Sequence, residues 1–134
     1  MSDSQPIVAA FMREATTTIE PDSHVASAAF LMKRAHDSAL VVTSGDGREP
    51  IAVITDADVS QAVADGRDLN ETRINQLHLS RPAVVSPGTS VAEAAERILE
   101  LSLMHLPVVD DGRLVGLVDM AAVCRALLDR GRTA

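Results

Sequence analysis

Two short stretches place oxygen-bearing side chains where helix amides stand open: "ITDAD" at residues 54–58 and "VDMAA" at 118–122, each closing an apolar run. A Thr or Asp at such a point can accept an orphan amide, and an acid in the first turn suits the positive end of the helix dipole. Thr55 and Asp56 supply this in the first stretch and Asp119 in the second, so both helices can start unaided. Asp58 faces Ala122 across the comparison. The second helix therefore needs no acid at that place, and Asp58 is surplus to capping.

The other reactive residue types point away from catalysis. No nucleophile, base and orienting acid stand together, so no enzyme is expected. His24, His36, His78 and His105 lack close metal-ligand spacing, and His36 with Lys33 and Arg34 suits the negative end of a helix. Cys124 lies on the apolar stripe Met120, Val123, Cys124, Leu127 and reads as a core thiol, while Met12, Met32, Met104 and Met120 read as packing. A net charge of -7, with two Phe and no Trp or Tyr, repels phosphate backbones and anionic lipid and offers no stacking platform. Neither nucleic acid nor membrane is an expected partner. No apolar run reaches the roughly 18 to 20 residues of a membrane span, and "MSDSQP" lacks the layout of a signal peptide. One cysteine cannot close an internal disulfide, which fits the cytoplasm.

The elements that must position Asp58 occur twice. "TIEPDSHVASAAFLMKRAHDSALVV" aligns with "VVSPGTSVAEAAERILELSLMHLPVV" so that Pro21 meets Pro87, Val25 meets Val91 and Leu40 meets Leu106, each 66 apart. The turn "SGDGRE" is two residues longer than "DDGR", and "IAVITDADVSQAV" then matches "VGLVDMAAVCRAL" at 64. Each copy predicts a short strand ending at Pro (Thr16 to Ile19; Ala83 to Val85). A helix capped by Asp22 or Ser23, or by Ser90 in a capping box with Glu93, follows. Apolar faces are expected at Ala28, Leu31, Met32 and Ala35, and at Val91, Ala94, Ala95, Ile98 and Leu101. A hairpin comes next (Ala39 to Thr43 with Ile51 to Thr55; His105 to Val109 with Leu114 to Val118). A second helix closes the copy, burying Val59, Ala62 and Val63, or Met120, Val123, Cys124, Leu127 and Leu128. With 134 residues, 46% of them hydrophobic, the two units can share a core. The boundaries are 7–66, a linker 67–73 read from the polar, Gly-initiated "GRDLNETR" (66–73), and 74–131.

The duplicated order of Pro-capped helix, "HLPVVDDGRLVGLV" and short helix resembles the tandem cystathionine-β-synthase (CBS) domain pair, or Bateman module, over residues 7 to 130. "PIVAAFM" and "RINQLHL" resemble the short leading helices of such units. The resemblance implies an α+β fold of two pseudo-symmetric β-α-β-β-α repeats packed sheet to sheet, a homodimer, and clefts that hold adenine nucleotides. Thr-x-x-Asp is the pattern of nucleotide-binding members. By that resemblance Asp58 accepts from ribose hydroxyls, Thr55 and the helix amides beside Asp56 meet phosphate, Val53 and Ala83 flank adenine, and His105 reaches phosphate from the other repeat. The second cleft, with Asp119, Ala122 and Ala39, looks retired. Members that grip longer phosphate chains often add Lys or Arg near the start of the second helix, and "MAA" has none, so AMP or ADP fits better than ATP. The implied function is a regulatory sensor acting on an unidentified protein partner. The alternatives are a ligand-free interaction module and an S-adenosylmethionine-type ligand.

Overall fold

The computed structural model describes residues 6–14 and 17–132, and they form two compact units. The first comprises residues 17–82. In it β1 (Thr18–Ile19) runs parallel to β2 (Ala39–Thr43), which pairs antiparallel with β3 (Pro50–Thr55). Between β1 and β2 lies α1 (Val25–Ala35), and α2 (Asp56–Ala64) follows β3. This is the β-α-β-β-α order expected, although Thr16 lies outside the described residues. Ile19, Val25, Ala28, Met32, Leu40, Val42 and Ile54 make the core. The β2–β3 turn is held by Asp46, which accepts from Ser44 Oγ at 2.6 Å and from the Arg48 amide at 3.0 Å. These two bonds, the hydroxyl's first, hold the Asp46 carboxyl below its usual range.

The second unit comprises 6–14 and 83–132. Val85 bridges Val108 in parallel, standing for the missing first strand, and α3 (Val91–Leu101) follows. A hairpin of β4 (His105–Asp110) and β5 (Arg113–Asp119) leads into α4 (Met120–Arg132). Its two-residue turn, Asp111 and Gly112, has φ 53 and 77, the left-handed pair that lets so short a loop match strand twist. Val91, Ala94, Ile98, Leu106, Val108, Val118, Val123 and Ala126 form the core.

The two leading segments each dock on the other copy. Residues 6–13, ahead of the first copy, belong to the second unit. A single 3-10 turn (Val8–Ala10) carries Val8 into that core at 0% exposure. The Val8 amide donates to Thr89 O at 2.8 Å, and Arg13 exchanges both backbone bonds with Leu117 at 3.0 and 2.8 Å, lengthening the sheet beyond β5. Residues 69–79, ahead of the second copy, run back over the first unit, where the 3-10 turn Ile74–Gln76 buries Ile74. The bridges Ile7 to Ser90 and Arg73 to His24 are the same contact made twice, 66 residues apart at each end.

This exchange changes the expected cap of α1. His24, rather than Asp22 or Ser23, is the N-cap, and its side chain caps nothing. The open amides of Val25 and Ala26 instead donate to the carbonyls of Thr72 and Leu69, at 2.8 and 3.0 Å. A passing backbone thus replaces the capping side chain. In α3 Ser90 Oγ accepts from the Glu93 amide at 3.0 Å, so the Ser90 half of the expected box is made.

Gly116 explains another departure from symmetry. A Cβ there would lie 2.6 Å from Met12 Sδ and 2.9 Å from Arg13 O, because residues 12 and 13 cross directly over β5. The counterpart in the first unit is Ala52, which keeps its Cβ and is 7% exposed.

The second helices present different faces from those expected. Ala62, and in α4 Ala122, Val123 and Ala126, are buried, whereas Val63, Cys124, Leu127 and Leu128 are exposed. Small side chains let each helix lie close to its sheet, which turns the larger ones outward. Cys124 is therefore not a core thiol. On the first helices, Ala35 and Leu101 also lie outside the buried face, and Met104 is 58% exposed rather than packed. Among the described residues no helix is long and apolar enough to cross a membrane.

Candidate functional site

Thr55, Asp56 and Asp58 stand together where β3 turns into α2. Thr55 is the N-cap, and its Oγ1 accepts the Asp58 amide at 3.2 Å. Asp58 answers in kind: its Oδ2 accepts the Thr55 amide at 2.8 Å and the Thr55 hydroxyl at 3.0 Å. This is a complete capping box, so Asp58 is not surplus to capping. The box uses Oδ2 and leaves Oδ1 outside it. Both residues are half-buried, while Asp56 is exposed and its amide donates to Ser38 O at 2.9 Å. The first-turn amides of Asp56 and Asp58 are thus already engaged inside the chain.

The second unit repeats this corner with other chemistry. The Met120 amide donates to Met104 O at 3.1 Å, matching Asp56 to Ser38. Asp119 Oδ1 accepts the Ala122 amide at 2.7 Å, as Thr55 Oγ1 does for Asp58. A threonine N-cap with an acid three residues on, or an aspartate N-cap with alanine, are two solutions to one problem. Asp119→Ala is accordingly expected to cost about 0.5 to 2 kcal/mol of stability, read as a lower midpoint in urea unfolding followed by circular dichroism.

The remaining predicted residues divide between the units. Val53 is half-buried on β3 opposite Val41, in the same unit as Thr55 and Asp58. Ala83 and His105 belong to the second unit, where Ala83 packs partly buried against the core. His105 is half-buried and is the register partner of Asp119, as buried Ala39 is of Thr55. Those two pairings satisfy both sequence offsets at once, and so confine the two-residue slip to the hairpin turns. Among the described residues no group of three His, Cys, Asp or Glu side chains could hold a metal ion.

Comparison with known proteins agrees with this architecture. The model of the CBS domain family matches residues 8–65 and again 74–129. The chain is 30% identical over 112 residues to an uncharacterized 17.7 kDa protein of Acidianus ambivalens, covering 83% of this chain and 66% of that one. It spans only 13% of an Arabidopsis thaliana CBS domain-containing protein, CBSCBSPB5, so it matches less than two thirds of these curated relatives' length. A protein with CBS domains from Burkholderia ambifaria superposes with a TM-score of 0.83 at 25% identity, covering 92% of this chain and 94% of that one. CBSX2, solved in complex with AMP, superposes with a TM-score of 0.78 at 25% identity, covering 95% and 99%. With two consecutive copies matched and the same α+β architecture in its structural relatives, the chain belongs to the CBS domain family as a tandem pair.

Proposed function

We propose that the chain is a non-enzymatic sensor that binds an adenine nucleotide, AMP or ADP in preference to ATP, through the corner where α2 begins. The observation that carries this reading is the state of Asp58. One carboxylate oxygen is fixed by Thr55, which holds the group in place, while Oδ1 remains outside the box for a ribose hydroxyl. The AMP complex of CBSX2 supports the ligand class. Thr55 can turn its hydroxyl proton from Asp58 to a phosphate oxygen, since the Thr55 amide still ties Asp58 down. Asp56 adds a negative charge beside that place, which disfavours long phosphate chains. Val53, on β3 of the same unit, is the side chain proposed to lie beside the adenine. Calorimetry with AMP, ADP and ATP on nucleotide-stripped protein tests the reading: heat with AMP or ADP exceeding that with ATP is expected, and no heat with any of the three would overturn it.

Absence of heat would favour a ligand-free interaction module, for which the fully made capping box is the favourable observation. In either case a homodimer is proposed. Val63, Leu127 and Leu128 on α2 and α4 are 58%, 43% and 59% exposed, more apolar surface than isolated helices of this size need to show. Light scattering is expected to give twice the chain mass of 14.2 kDa at micromolar concentration. A monomer would refute the dimer.

A further inference from the structure

The exposed faces of α1 and α3 carry opposite charge at equivalent positions. Phe30, Lys33 and Arg34 of α1 stand three and four residues apart and so share a face, and all are exposed. Their counterparts, 66 residues on, are Glu96, Leu99 and Glu100 of α3, likewise exposed. Helix α1 has no acid and two cations, and α3 sets three glutamates against one arginine, so they carry two positive and two negative charges respectively. Each face also bears one large apolar side chain open to water, Phe30 at 60% and Leu99 at 71% exposure.

The capping chemistry of the helices separates the two faces further. Lys33 and Arg34 sit in the last turn of α1, where its own dipole favours them. Glu100 sits in the last turn of α3, which has no basic residue, so its helix opposes it. A cation from elsewhere would relieve that site.

We infer that α1 of one copy of this chain docks against α3 of a second copy, seating Phe30 on Leu99 and setting Lys33 and Arg34 against Glu96 and Glu100. The pairing rests on the homodimer proposed above and specifies its arrangement as head to tail. In a two-fold dimer each contact occurs twice, so both faces of both copies are used. Pairing α1 with α1 and α3 with α3 would instead set cation on cation and acid on acid.

Charge reversal tests this at low salt, where exposed pairs are least screened. Lys33→Glu with Arg34→Glu leaves both faces acidic, and Glu96→Lys with Glu100→Lys leaves both basic. Each double variant is expected to self-associate about ten- to a hundredfold more weakly than wild type by sedimentation. The variant carrying all four changes, and an equimolar mixture of the two double variants, should associate as wild type does. Dimers of undiminished strength in both double variants would overturn the head-to-tail pairing while leaving the homodimer standing. A wild-type chain that sediments as a monomer would overturn both. Unchanged melting temperatures at monomeric concentration separate lost association from lost folding.

Discussion

Asp58→Ala is expected to weaken AMP binding about ten- to a hundredfold, because a bound ribose hydroxyl would lose a charged acceptor worth about 1.5 to 3 kcal/mol. The substitution also dismantles the capping box, removing the acceptor of the Thr55 amide and hydroxyl. Some stability must go with it, about 0.5 to 2 kcal/mol. Asp119→Ala is the matched control, since it removes the corresponding cap of α4 at similar cost. A protein without Trp or Tyr is almost transparent at 280 nm, so adenine released from it stands out at 260 nm. Calorimetry on both variants should show binding lost in Asp58→Ala and kept in Asp119→Ala. Equal loss in both would mean that the wrong corner has been assigned.

Gly116→Val should be the most damaging single change on β5. Even one added carbon would fall 2.6 Å from Met12 Sδ and 2.9 Å from Arg13 O, and the second contact is backbone that cannot swing aside. Overpacking of this kind costs about 1 to 3 kcal/mol, and a branched side chain belongs at the upper end. The strand cannot yield without breaking the Arg13 to Leu117 pair. Gly45→Ala serves as the reference, because a Cβ there meets nothing within 4 Å. Urea midpoints that fall together, or not at all, would contradict the seating of residues 12 and 13 over Gly116.

The elements were legible in sequence because the chain states them twice. Pro21 with Pro87 and Leu40 with Leu106 fix a common frame, and helix, hairpin and helix fall where their patterns place them, while the strand expected at Ala83 to Val85 is reduced to the single Val85 bridge. The exchange of leading segments was not legible. Similarity between Val8 and Ile74 says that they play one role, and nothing about which copy each touches. The cap of α1 was misread for the same reason, since its acceptors are backbone carbonyls at Leu69 and Thr72. In α4 the apolar residues cover too wide an arc for periodicity to choose a buried side. The sheet took the small residues Ala122 and Ala126, leaving Cys124 and Leu127 in water. At the candidate site the three acids and Thr55 were found, but comparison with Ala122 suggested that Asp58 had no structural duty. Thr-x-x-Asp is itself a capping-box pattern, and a threonine cap also donates its hydroxyl to the returning acid, a bond that an aspartate cap has no proton to make.

The leading segment's choice of partner sets an order of events during synthesis. Residues 17–82 contain every strand and helix of their own unit, so that unit can close as soon as Leu79 has left the ribosome. The segment that carries Val8 and Arg13 has to wait for Leu117, the partner of Arg13, more than a hundred residues later. At about 5 to 20 residues per second the wait is on the order of 5 to 20 seconds, long against the folding of a small domain. For the later part of that interval, from Leu79 to Leu117 and so about 2 to 8 seconds, Ile7, Val8, Phe11 and Met12 form an unpaired apolar tail on a chain whose first half can already be folded. A second nascent chain on the same message, a little ahead, would offer the same docking strip along its own β5. The nascent tail is then the point at which two chains can cross over, and slowing translation between residues 83 and 117 should raise the share of such interlocked products.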